Sequence, residues 1–365
     1  MIAEHGGDLL AIAREFGCDP TSLRDLSANV NPLGPPAGVL DVLREVLTDP
    51  ARLTRYPDPQ AAAFAAVAAG HAGVDAARIV VGNGGAAVLD AAVRGLGAVR
   101  CVLPVPAFSE DARALRTAQT EIVPFALQAD DDFALDPQRL LATVRDARAD
   151  LCLLTNPHNP SGALLARGAM MGLVGDLAVL GCAAIVDEAF IDYVPEASIV
   201  SGADPGWPLV VLRSVTKFYA MAGVRIGYAI ASHALASRVR AMLPSWPTGI
   251  IEQRAAAAAL ADVAYADRTR HENRRARGRF IAALDVIGVR ALPAAANYLL
   301  LDVSRLVPDA LALRARLIRT DGLVVRAFPN EPTLRERFVR VAVRSSEDNA
   351  HLVAALARAV KEKNP

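Results

Sequence analysis

The sequence predicts an α/β fold, with a mostly parallel central sheet in a large domain and a smaller α+β domain behind it. Three observations predict it. Short apolar runs alternate with helical patterns from about residue 36 to 230. A long helical pattern then runs from roughly Ile250 to Leu284. After Gly288 the pattern changes to strand, helix, strand, strand, helix. At 365 residues the chain can bury a large core and divide in two. The expected division is an arm over 1–35, a large α/β domain over 36–250 and a small α+β domain over 251–365.

The arm holds a Gly pair, two Asn and the run Asn31-Pro32-Leu33-Gly34-Pro35-Pro36, which resists both helix and strand. The expected strands are Ile79–Val81, Cys101–Leu103, Glu121–Val123, Leu151–Leu154, Ala183–Val186, Leu209–Leu212 and Arg225–Ile230. Asp136-Pro137 reads as an N-cap followed by proline in the first helical turn. The longest apolar stretch, Gly168 to Val186, is interrupted by Asp176 and Gly181. A helix, a turn and a buried strand explain it better than a membrane span. The charged run His271-Glu272-Asn273-Arg274-Arg275 reads as a solvated helix face.

Lys plus Arg (39) equals Asp plus Glu (39), so the charge balance points to neither nucleic acid nor a membrane. No secretory signal is visible at the N-terminus. Cys18, Cys101, Cys152 and Cys182 are scattered and form no CxxC pair; reduced structural cysteines in a cytoplasmic protein are expected. No metal-ligand cluster is expected.

The informative stretch is Arg213-Ser214-Val215-Thr216-Lys217-Phe218-Tyr219-Ala220, with Arg225 eight residues past the lysine. An apolar strand delivers it, and ligands collect at the C-terminal ends of such strands. Hydroxyls and an arginine suit a phosphate dianion, and a lysine beside them could form an imine with an aldehyde cofactor. An ordinary surface lysine after a strand is the plain alternative. Asp187 ends another apolar run, where a carboxylate could bond a protonated pyridine nitrogen or simply cap a helix.

Asn156-Pro157-His158-Asn159-Pro160 forces a turned loop, from which Asn159 could bond a ring phenolate. Gly82-Asn83-Gly84-Gly85-Ala86-Ala87 reads as strand, glycine loop, helix, whose free amides would bind phosphate. It also fits a dinucleotide fingerprint. That rival needs an acidic residue ending the next strand, and Leu103-Pro104-Val105-Pro106 has none. Phe108 could stack on a flat ring or belong to the core.

Together these segments resemble, in order and spacing, the class I/II aminotransferase superfamily, the fold type I pyridoxal-phosphate (PLP) enzymes. The resemblance implies PLP as cofactor, Lys217 as its Schiff-base lysine and Asp187 as the pyridine-nitrogen partner. It implies Asn159 at the ring oxygen and Phe108 on the ring face. Gly85, Ala86, Ser214, Thr216 and Arg225 would form the phosphate cup. Arg55-Tyr56-Pro57 is similar to the family segment whose tyrosine reaches the neighbouring subunit's cofactor, implying a homodimer with shared sites.

Two branches are similar: histidinol-phosphate aminotransferases and the threonine-phosphate decarboxylases of cobalamin biosynthesis. His5-Gly6-Gly7, Ser27 to Gly34, Glu188 to Asp192, Arg213 to Ala220, Ala296 to Leu300 and Arg340 to Ser345 favour the second. So does Phe190, where the aminotransferase branch typically has a tyrosine bonding the ring oxygen. The chain departs from the decarboxylase pattern at Gly85-Ala86, where a carboxylate and a hydroxyl are usual. The implied reaction is PLP-dependent decarboxylation of L-threonine O-3-phosphate, with transamination of a histidinol-phosphate type as the alternative. Arg340 would grip the substrate carboxylate and Arg326 its phosphate, with His5 and Asn31 assisting.

Overall fold

The structure is a computed structural model, and it describes residues 6–306 and 309–363. Its centre is a seven-stranded sheet: β1 (Ile79–Gly82), β2 (Arg100–Val105), β3 (Glu121–Ala126), β4 (Leu151–Thr155), β5 (Ala183–Asp187), β6 (Leu209–Ser214) and β7 (Gly227–Ala231). The spatial order is β1-β7-β6-β5-β4-β2-β3. All neighbours are parallel except β7, which runs antiparallel to both β6 and β1. Each expected apolar run lies in one of these strands, save that β7 starts two residues late.

β2 and β3 run on through Pro104 and Pro124, which apolar pattern alone would not extend. β3 is an edge strand, and β2 pairs with β4 only at Cys101 and Val102. A missing N–H therefore costs little at either proline.

Alternation along the strands divides two cores. Val80, Leu151, Leu153, Ile185, Val210 and Leu212 face one, with Val88, Leu89 and Leu115 from the covering helices. Ile79, Val81, Leu154, Val186, Val211 and Ile230 face the other. Both faces are buried, as a parallel sheet requires.

Two expectations need correction. The arm is not free of helix: Leu9–Phe16 is α-helical, because Asp8 caps its first turn and Gly17 ends it in the left-handed region. The helical pattern from Ile250 is broken at Asp262, which closes Ile250–Ala261 and caps Val263–Val286 through Tyr265 N. The caps at Asp136 and the turn at Gly181 form as expected.

A third core gathers Leu26, Phe280, Leu284, Leu299, Leu301, Leu317, Val339 and Val341 under a three-stranded sheet of Phe338–Ala342, Tyr298–Asp302 and Arg290–Ala291. Arg24–Asp25 pairs in parallel with Leu323–Val324, so the arm is docked on this part of the chain. It then crosses to the central sheet, where Asn31 N donates to Lys217 O. Among the described residues no helix is long and apolar enough to cross a membrane.

Candidate active site

Because β1, β2, β4, β5 and β6 run parallel, their C-terminal ends share one edge, and the glycine loop, Asn159, Asp187 and Lys217 follow strands that end there. Thr155 at the end of β4 pairs with Asp187 at the end of β5. Past β6, Ser214 Oγ and Thr216 Oγ1 lie 2.8 Å apart, and Lys217 Nζ donates to Thr216 Oγ1 at 3.4 Å.

The amine of Lys217 is pushed down to about 8, first by burial, then by Arg225 and Arg340, while Asp187 pulls the other way. A lysine in that range keeps a usable neutral fraction near pH 7. Burial raises the Asp187 carboxyl to about 6; the bond from Ala189 N, at 2.8 Å, and Lys217 hold it there against Glu188. Residues 187 and 217 thus lie close enough for each charge to act on the other.

The helix Gly84–Leu96 starts at this edge with no side-chain cap, because its N-cap residue Asn83 makes no such bond. Its first amides at Gly84, Gly85 and Ala86 are therefore available to an anion. Arg225 arches over them: a Cβ on Gly84, whose φ is +78°, would come within 2.8 Å of Arg225 Nη2. A Cβ on Gly227 would lie 2.7 Å from Gly85 N. Only glycines let strand, helix and guanidinium converge so closely. A guanidinium over a helix N-terminus opposes the helix dipole unless an anion lies between them. The residues therefore fit a phosphate.

Arg340 donates from Nη1 to Asn159 Oδ1 at 2.5 Å and from Nη2 to Ser27 O at 3.0 Å. Its guanidinium lies 5.5 Å from the centre of the Tyr298 ring. Burial, more than any neighbour, pushes it down to about 10, still charged at neutral pH. Arg326 exchanges two backbone bonds with Arg340, which places the two arginines side by side, and it stacks over Phe328. Phe190 packs edge-on against Tyr298 at 4.9 Å and has no hydroxyl to offer. The Tyr298 hydroxyl is spent on His158 O at 2.8 Å.

Two supports hold this edge. Glu188 and Arg213, next in sequence to Asp187 and Ser214, form a buried ion pair at 2.9 Å. Arg213 also reaches Asp192 and Ser198 Oγ. His158 is buried with Nδ1 2.7 Å from Ser161 Oγ and Nε2 3.0 Å from Pro106 O. Sequence reasoning assigned roles to none of these. The signal for the ion pair was the adjacency of each member to a candidate site residue; His158, between two Asn-Pro pairs, gave no chemical signal.

The structure brings together Lys217, Asp187, Ser214, Thr216, Arg225, Arg340 and Asn159, with Gly85 and Ala86 beneath Arg225. Phe108 is partly buried just ahead of the helix Ser109–Thr117. Tyr56 stands apart: it is 81% exposed and stacks on Trp246 at 4.7 Å. The Asn31 amide is committed to Phe218 O, Tyr265 Oη and Thr269 Oγ1, so its side chain clamps the arm to two other segments. His5 lies outside the described residues. Among the described residues no cluster of His, Cys, Asp and Glu could hold a metal ion.

The family "Aminotransferase class I and II" matches residues 21–356. The threonine-phosphate decarboxylase of Salmonella typhimurium is 35% identical over 355 residues, covering 96% of this chain and 95% of that protein. Histidinol-phosphate aminotransferase 2 of Pseudomonas aeruginosa is 30% identical over 361 residues, covering 95% and 92%. The crystal structure of histidinol-phosphate aminotransferase from Sinorhizobium meliloti, in complex with pyridoxal-5'-phosphate, superposes with a TM-score of 0.86 at 23% identity, covering 98% of this chain and 95% of that one.

Proposed function

The chain belongs to the aminotransferase class I and II family, and from that premise we propose that it is a PLP-dependent decarboxylase of L-threonine O-3-phosphate, acting in cobalamin biosynthesis. The product is (R)-1-amino-2-propanol O-2-phosphate. The observation that carries the proposal is the convergence of Lys217, Asp187, Arg225 and Arg340 at one sheet edge, in a chain so similar over its length to the Salmonella enzyme.

In this reading Arg225, Ser214, Thr216 and the amides of Gly85 and Ala86 hold the cofactor phosphate. Asp187 holds a proton on the ring nitrogen, Asn159 bonds the ring oxygen and Phe108 covers the ring. Bound PLP supplies the electron sink for the bond broken at the substrate α-carbon. Asn159 is oriented for its task, because its Oδ1 is occupied by Arg340, which leaves its amide N–H groups to donate.

Two of the five N–H donors of Arg340 are used within the chain. Nε is buried with no partner. The remaining donors can take the substrate carboxylate, while Arg326, beside it, takes the phosphate. Clamping both ends orients the carboxylate, and that orientation selects CO2 loss over proton loss. With CO2 gone, Lys217 Nζ returns a proton to the α-carbon. Phe190 leaves the ring oxygen without a tyrosine partner.

We propose a cytoplasmic homodimer in which the exposed Tyr56 reaches the partner's cofactor phosphate. Four free cysteines, three of them buried, suit a reducing compartment.

The test is incubation with threonine phosphate and, separately, with histidinol phosphate plus 2-oxoglutarate. CO2 release without 2-oxoglutarate is expected. Glutamate formation with no CO2 establishes the second reading, transamination, which the Pseudomonas relative supports.

A further inference from the structure

His158 reaches out of its own loop. Its Nε2 meets Pro106 O at 3.0 Å, two residues before Phe108, while Nδ1 meets Ser161 Oγ at 2.7 Å within the loop that carries Asn159. A carbonyl only accepts, so Nε2 carries a proton, and in the neutral ring that burial favours Nδ1 accepts from the serine hydroxyl. The ring is neutral and its tautomer is fixed. Its backbone is pinned as well: His158 N donates to Ala163 O at 2.8 Å, and His158 O accepts from Tyr298 Oη.

We propose that His158 is a positioning residue, a neutral brace that fixes the distance between the Phe108 loop and the Asn159 loop and so sets the width of the slot for the cofactor ring. This rests on the reading of the site as a PLP site. The two loops follow β2 and β4, strands paired only at Cys101 and Val102, well before the loops begin. Ladder hydrogen bonds therefore do not hold the loops together, and the histidine bond does. Burial keeps the ring neutral by pushing its pKa down to about 4, so the brace holds throughout the working pH range.

Two substitutions separate the brace from mere packing. Asparagine places its polar atoms two bonds from Cβ, like Nδ1, and keeps only the bond within the loop. Glutamine places them three bonds out, like Nε2, and keeps the bond to Pro106 O. With PLP titrated into apoprotein, H158N is expected to raise Kd about tenfold, and H158Q to stay within about threefold of wild type. Circular dichroism melts check that both variants fold. Nitrogen-15 spectra of the wild-type apoprotein should show a neutral ring protonated at Nε2 that does not titrate above about pH 5. The proposal is overturned by a ring that titrates near its ordinary pKa, by H158N binding PLP as tightly as wild type, or by H158Q doing no better than H158N. Wild-type protein that binds no PLP would instead sink the cofactor reading, and the apoprotein spectra would still judge the brace.

Discussion

Arg340 Nη1 donates to Asn159 Oδ1 at 2.5 Å, joining two side chains 181 residues apart in sequence. The bond ties the group expected to grip the substrate carboxylate to the group expected to bond the cofactor ring. A change at Arg340 is therefore felt twice. R340M should lower kcat/KM by about 10- to 150-fold, the weight of a charged hydrogen bond. It should also shift the cofactor's visible absorption, since Asn159 is then free to turn its amide. An unshifted spectrum would show that Arg340 does not orient Asn159.

Lys217→Ala should abolish turnover while the thermal melt survives. Borohydride reduction of the wild-type holoenzyme should add the cofactor's mass to the peptide carrying Lys217, and to no other peptide. Cofactor mass found on a different lysine, or turnover kept by the variant, would refute the assignment.

The two carboxyls behind the site carry raised pKa values, and the sign of their effect on stability follows. Asp187 is raised to about 6 by burial; the fully buried Asp111 is raised well above its ordinary value by burial and by the charge of Asp187, against a backbone bond from Phe108. A raised carboxyl contributes stability fully below its unfolded pKa, and that stability is lost as pH rises towards the folded value. In the apoprotein, D187N should therefore melt higher than wild type above about pH 6, by at most about 3 kcal/mol, with the gap closing near pH 4. D111N should show the same sign. A gap that widens on acidification would show that these carboxyls are stabilised as anions.

Glu188 and Arg213 lock the ends of β5 and β6, which carry Asp187 and Ser214. Removing Arg213 leaves the buried Glu188 without its cation, whereas Arg213 keeps Asp192 when Glu188 is removed. R213M should therefore destabilise by about 3–5 kcal/mol and E188Q by less, with the double variant E188Q/R213M well short of the sum. Additive losses in urea unfolding would mean that the pair is not coupled.

The sequence by itself determined the seven strands, the cap at Asp136 and the turn at Gly181, and it raised the expectation of a site at Lys217, Asp187, Asn159 and Arg225, because each rests on neighbours within a few residues. Hydrophobic alternation and turn residues are local signals, and strand direction places every strand end at one edge. The tertiary structure alone decided which polar atoms meet. Arg340 on Asn159, Arg225 over Gly84, and His158 on Pro106 each join separate segments by bonds a few ångströms long. It also gave Asn31 to Tyr265 and Thr269 as a clamp on the arm. No periodicity encodes such pairings, because hydrogen-bond geometry depends on how strands and loops stack in space rather than on spacing along the chain.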